Sequence, residues 1–315
     1  MRLLLLLGLV VQVACTASTA VRQPERVKRM PLEKSNVKLK APTRYEPRVA
    51  SVNPQTNEPV YFDPKPQIVP VDEKAGKYAF KWIGYDGKEK TIIYQRADAI
   101  DAVVSASVER NSSEQYLYTY KIENLPSGGS QLSGFIVQNF AADVQPIKTR
   151  DGRVGRMSND IQQFRDGNWI HYGPSYLKDE VTPGRSVELQ ILSSVPPGLV
   201  GCRIYGGEMT IKGAGEHMPT ELENAMSGYE EWPKGFTIGP IDKLKASSPQ
   251  EHAQYILSIL PQAHKLGWIT DSALRWYTEK LSVNDLAAVS ERAAHDLKTE
   301  QITTEVFAMI EALRR

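Results

Sequence analysis

From residue 76 the apolar positions recur every second residue, and after Pro240 they recur at helical spacing. Tyr78, Phe80 and Trp82 alternate with Ala79 and Lys81, and a second run carries Ile92, Ile93 and Tyr94. Between the two lies Asp86-Gly87, where glycine supplies the positive φ of a tight hairpin. Ala102, Val104, Ala106 and Val108 share one strand face, and so do Tyr116, Tyr118, Tyr120 and Ile122. Further strands are expected over Leu132–Asn139, at Trp169-Ile170, along Val187, Leu189 and Ile191, and over Leu199–Tyr205 and Glu208–Lys212. That makes about nine short strands separated by Pro/Gly turns. No crossover-length helix sits between them, so antiparallel pairing is favoured over a parallel sheet. One-sided alternation with frequent turns predicts two packed antiparallel sheets over 75–215. Residues 140–166 are polar and read as a long loop with a short irregular element.

The helical part begins at Ser248-Pro249-Gln250-Glu251, a capping box with proline at the first helical position. Ala253, Ile256, Leu257 and Leu260 form its stripe, and Pro261 is expected to kink or end it. Gly267 suits a C-terminal cap, Thr270 and Ser282 suit N-caps, and three more stripes run to Leu313. About four helices over 247–315 should pack as a small bundle with a core separate from the sheets. Residues 216–246 read as an ordered connector whose Trp232, Phe236 and Ile238 pack onto the sheets.

Residues 1–20 change the picture of destination. Arg2, the apolar run Leu3–Val11 and the small residues Ser18-Thr19-Ala20 have the layout of a signal peptide. Cleavage there gives a secreted or periplasmic chain. Cys15, preceded by Val13-Ala14, offers lipid anchoring instead, although Gln12 stands where an aliphatic residue is expected. In either case Cys202 is left without a partner for an internal disulfide, and its strand spacing marks it as a buried, inert thiol.

Charge separates the N-terminal region from the rest. The 315 residues carry a net charge of +1, which argues against nucleic acid as a partner. Residues 21–50, however, hold nine Lys/Arg against three Glu, and nine of the twenty prolines fall within 21–70. Proline at that density blocks both helix and ladder. Residues 21–74 therefore read as a basic linker with a possible edge strand, with 21–50 suited to an anionic surface or polysaccharide. Arg26-Val27-Lys28-Arg29 also has the form of a dibasic cleavage site.

Candidate chemistry is sparse. The five His show no metal-binding spacing, and the sequence holds no HExxH, paired CxxC, phosphate-binding glycine loop or GxSxG elbow. Glu208, Glu216 and His217 are close enough in sequence for a cation or acid/base site, but scattered carboxylates in a polar loop explain them as well. Asn111-Ser112-Ser113 is a formal glycosylation sequon. Aromatics are the remaining lead: Trp82, Tyr85, Tyr94, Trp169, Tyr172 and Tyr176. Of these Trp169, Tyr172 and Tyr176 flank the Gly173-Pro174 turn and are the candidates for stacking a ligand such as a sugar. No cofactor or metal is expected.

The stretch Tyr118–Ser127, the turn Thr182–Ser186, the run Pro196–Cys202 and Gly267-Trp268-Ile269 together resemble secreted bacterial proteins of no assigned reaction. In those proteins an immunoglobulin- or fibronectin-like β-sandwich precedes a short helical tail. The resemblance implies a mainly β fold: an antiparallel immunoglobulin-like sandwich, then a small α-helical C-terminal bundle. It implies no catalytic residue. The expected function is that of an exported, non-enzymatic interaction or structural protein. A carbohydrate-binding module is the alternative, and a hydrolase with an unrecognised site comes third.

Overall fold

The computed structural model describes residues 25–34, 39, 48–141, 143–147, 156–157, 162–164, 167–173, 181–206, 218–226 and 231–314. The expected signal peptide, Cys15, Tyr176, the strand at 208–212, Glu208, Glu216 and His217 lie outside the described residues.

A two-stranded ribbon leads: β1 (Arg48–Val52) and β2 (Pro59–Phe62). Next comes a three-stranded antiparallel sheet of β3 (Gln67–Asp72), β4 (Lys77–Ile83) and β5 (Glu89–Gln95). Gly87 turns β4 into β5 with φ +72°, as the Asp-Gly pair requires. Among the described residues this three-stranded sheet does not pair with the larger ones. The face formed by Tyr78, Phe80, Trp82, Ile92 and Tyr94 closes a core of its own with Leu222 of α1 (Thr220–Glu223).

Two larger antiparallel sheets follow. One is ordered β6 (Ala102–Arg110), β7 (Tyr116–Asn124), β13 (Ser186–Ser193), β9 (Gln145–Ile147). The other is ordered β10 (Arg156–Met157), β12 (Gly167–Gly173), β8 (Leu132–Gln138), β14 (Pro197–Gly206), β15 (Lys234–Pro240), with β11 (Gln162–Phe164) also pairing β12. Residues 140–166 therefore supply three short strands where a loop was expected, and the expected connector supplies the edge strand β15. The β6–β7 alternation holds: Ala106, Tyr118, Tyr120 and Ile122 are buried, and the Tyr120 ring meets Phe135 of the other sheet at 5.5 Å. Cys202 is buried within β14, and burial pushes its thiol pKa up, which removes the reactive thiolate.

The C-terminal region is helical: α2 (Pro249–Lys265), α3 (Asp271–Ser282), α4 (Leu286–Lys298) and α5 (Thr304–Glu311). Ser248 and Glu251 form the reciprocal capping box, and Gly267 turns with φ +70°. Two local details differ. The helix does not end at Pro261, because the buried stripe of Ile256, Leu260 and Ala263 continues past that exposed residue. Asp285, not Ser282, caps α4, since α3 extends to Ser282 and Asn284 makes the turn at φ +58°. Among the described residues no helix is long and apolar enough to cross a membrane.

The helices do not have a separate core. Val306, Met309 and Ile310 of α5 are fully buried in a single cluster with Tyr118, Phe135 and Ile204 of the sheets. At roughly 1.5–3 kcal/mol for each such side chain, this burial outweighs any single polar contact at the junction. Thr304 Oγ1 donates to Ala106 O at 2.7 Å, and Ala106 N donates to the Glu305 carboxylate at 2.6 Å. The edge of β6 is thus covered by the start of α5.

Residues 25–34 lie across the same junction and are not a free linker. Val27 N donates to Glu300 O at 2.8 Å, and Leu32 N to Ala102 O at 2.9 Å. Glu33 and Lys234 exchange both backbone hydrogen bonds, at 2.9 and 3.0 Å. Three of the basic side chains are paired within the molecule: Arg26 with Glu300, Arg29 with Glu305 and Lys34 with Asp101. The strap bridges the edge strands β6 and β15. Each of those three cations has an acidic partner within the molecule.

Candidate functional site

Trp169, the first of the aromatic candidates, is only 4% exposed. It sits over Gly201, where a Cβ would stand 3.3 Å from its ring, and the Arg203 guanidinium lies 5.6 Å from its ring centroid. The indole face is packed, not offered to solvent. Tyr172 pairs with Phe135 of β8 and Met157 of β10 in register, and Tyr176 lies outside the described residues. Trp82 and Tyr94 belong to the small core beside α1, while Tyr85 is 48% exposed at its hairpin.

A different aromatic stands open. Asn139 Oδ1 accepts from Ala141 N at 3.0 Å and turns the chain after β8, leaving Phe140 46% exposed. Phe140 pairs as an isolated parallel bridge with Ile241, and its carbonyl accepts from Asp242 N at 3.3 Å. These contacts place the ring at the mouth of a groove of about 610 Å³ between the start of β14 and α2. Leu199, Ile241, Tyr255 and Ile259 form its walls, with Lys243 and Ser258 at the edge.

Tyr255 is the best-fixed wall. Its hydroxyl accepts from Leu199 N at 2.8 Å, and it fits because Gly198 has no Cβ, which would fall 2.7 Å from that oxygen. Burial raises its pKa, outweighing the backbone N–H that favours the phenolate. Lys243 Nζ covers the ring at 5.0 Å from its centroid. The groove thus offers apolar walls, one open aromatic face and a cation, a set suited to binding.

No protein-family model, curated protein or solved structure matches the chain.

Near the groove Asp143 gathers donors at the β13–β14 turn. It accepts from Ser193 Oγ at 2.7 Å, from Ser194 N at 2.9 Å and from Ser194 Oγ, with Lys245 at 3.9 Å. Burial works to raise its pKa, but the bonds from Ser194 and Ser193 outweigh it and hold the carboxyl below its ordinary value. Through these bonds the carboxylate clamps the turn.

A second groove of about 610 Å³ opens between α3 and α4. There Arg292 lies 4.3 Å from the Trp276 centroid and donates to the buried Asp296 at 2.8 Å. Arg292 is committed to those two partners, which gives the groove a structural reading. Among the described residues no three His, Cys, Asp or Glu side chains are grouped to hold a metal ion.

Sequence reasoning missed Phe140 and Tyr255, which come together only through the return of β15 beside β14. The one signal available was the apolar Phe140 inside an otherwise polar stretch.

Proposed function

We propose that this chain is an exported, non-enzymatic interaction protein whose two larger sheets form an immunoglobulin-like sandwich with the helices closing one side. The observation that carries the binding role is the open Phe140 ring at the mouth of a groove walled by Tyr255 and Ile241. An aromatic ring half exposed beside ordered apolar walls gains most by covering. Support for export is the layout of residues 1–20, and support for the sandwich is the single core shared by both sheets. Lipid anchoring at Cys15 remains the alternative form of export, and carbohydrate binding the alternative ligand class. In the carbohydrate reading Phe140, not the packed Trp169, would be the stacking face.

The test has two arms. A photo-crosslinking residue at Phe140 in the exported protein should trap a partner that the same residue at exposed Val283 does not. A polysaccharide panel run with wild type and Phe140→Ala separates the alternatives. Sugar binding lost on substitution would favour the carbohydrate reading. Absence of both crosslink and sugar binding would remove the groove as the site.

A further inference from the structure

We propose that the channel formed by α5, β6 and β15 is a recognition site for an extended Arg-x-x-Leu-Glu segment, with the chain's own residues 25–34 as a separable resident ligand. Every group that reads the strap belongs to the body of the protein. Ala102 O and both backbone groups of Lys234 sit on sheet edges and bond the strap as a further strand would. Glu305, fully buried, is held by Ala106 N and takes Arg29, whose guanidinium also reaches Thr304 Oγ1 at 3.0 Å.

Two glycines, Gly235 in β15 and Gly267 in the turn between α2 and α3, let the strap approach closely. A Cβ at Gly235 would fall 2.5 Å from Leu32 Cδ2, and one at Gly267 would fall 1.9 Å from the Lys28 carbonyl oxygen. Leu32 is buried in the notch over Gly235, while the intervening Met30 and Pro31 face solvent. The pattern of recognition is thus one anchor charge, one anchor side chain and edge hydrogen bonds, which is how sheet edges read extended peptides.

The experiment uses the full chain weakened in the strap by Arg29→Ala and Leu32→Ala, and a labelled synthetic peptide of residues 25–34. The peptide should bind the weakened chain at least tenfold more tightly than wild type, whose channel is filled. It should raise the weakened chain's melting temperature, and a peptide carrying Leu32→Asp should do neither. If the weakened chain does not fold, the unaltered peptide should restore folding when added during refolding. Failure of the peptide to bind, stabilise or rescue, or equal binding of both peptides, would overturn the proposal.

Discussion

Arg29 and Glu305 stand 276 positions apart and form an ion pair in which the carboxylate is fully buried. The pair joins the strap to α5, and through Ala106 N it joins both to β6. The N-terminal strap, the sheets and the C-terminal helices therefore meet at one carboxylate.

Arg29→Ala should be strongly destabilising. It leaves Glu305 buried without its counter-charge, which costs about 3–5 kcal/mol for a buried pair. Adding Glu305→Gln should recover part of that loss, because the lone charge is then gone. Denaturant titration of the two single variants and the double variant reads the coupling. Additive losses would show that the two residues do not act as a pair.

A chain ending near Ile241 should lose its cooperative melt. The alternation along β6 and β7 suggests sheets that could fold alone, but truncation removes α5, uncovers the β6 edge and strips Val306, Met309 and Ile310 from the shared core. Circular dichroism with a thermal scan checks this. A sharp transition in the truncated chain would show the helices to be dispensable.

Trp169→Ala should act on stability, by roughly 3–5 kcal/mol as for a large core side chain, since the ring is packed against Gly201 and Arg203. Phe140→Ala should change stability far less, its ring being half exposed. Chemical denaturation of both variants decides between a packed and an open role for each ring.

Acid should weaken the β13–β14 turn through Asp143. Its folded pKa lies below the ordinary value of about 3.9, so the folded state holds that proton less tightly than the unfolded chain. The stabilisation is complete above the unfolded value and is lost as pH falls through the depressed folded one. The stability difference between wild type and Asp143→Asn should be flat above about pH 5 and shrink towards zero below it. A difference independent of pH would assign the effect to something other than this titration.

Local pattern carried much of the fold. Strands from Lys77 to Asn124, the caps at Ser248 and Thr270 and the buried Cys202 follow from spacing and turn chemistry, and each is where that spacing puts it. Long-range choices were not legible. Tyr78, Phe80 and Trp82 alternate as a core strand should, yet nothing local says that their partner is Leu222. Residues 25–34 have the composition of a linker, and only their hydrogen bonds to Glu300, Ala102 and Lys234 make them a strap. The groove at Phe140 depends on the return of β15 beside β14, a pairing that no periodicity encodes.

Hydrogen exchange of the intact chain is the most direct measure of whether strap, sheets and helices form one unit. The amides of Val27, Leu32 and Glu33 should be protected far above those of the exposed hairpin turn at Ser112 and Ser113. Exchange of those three amides at the rate of the hairpin turn, with β6 and α5 still protected, would contradict a strap docked as part of the fold.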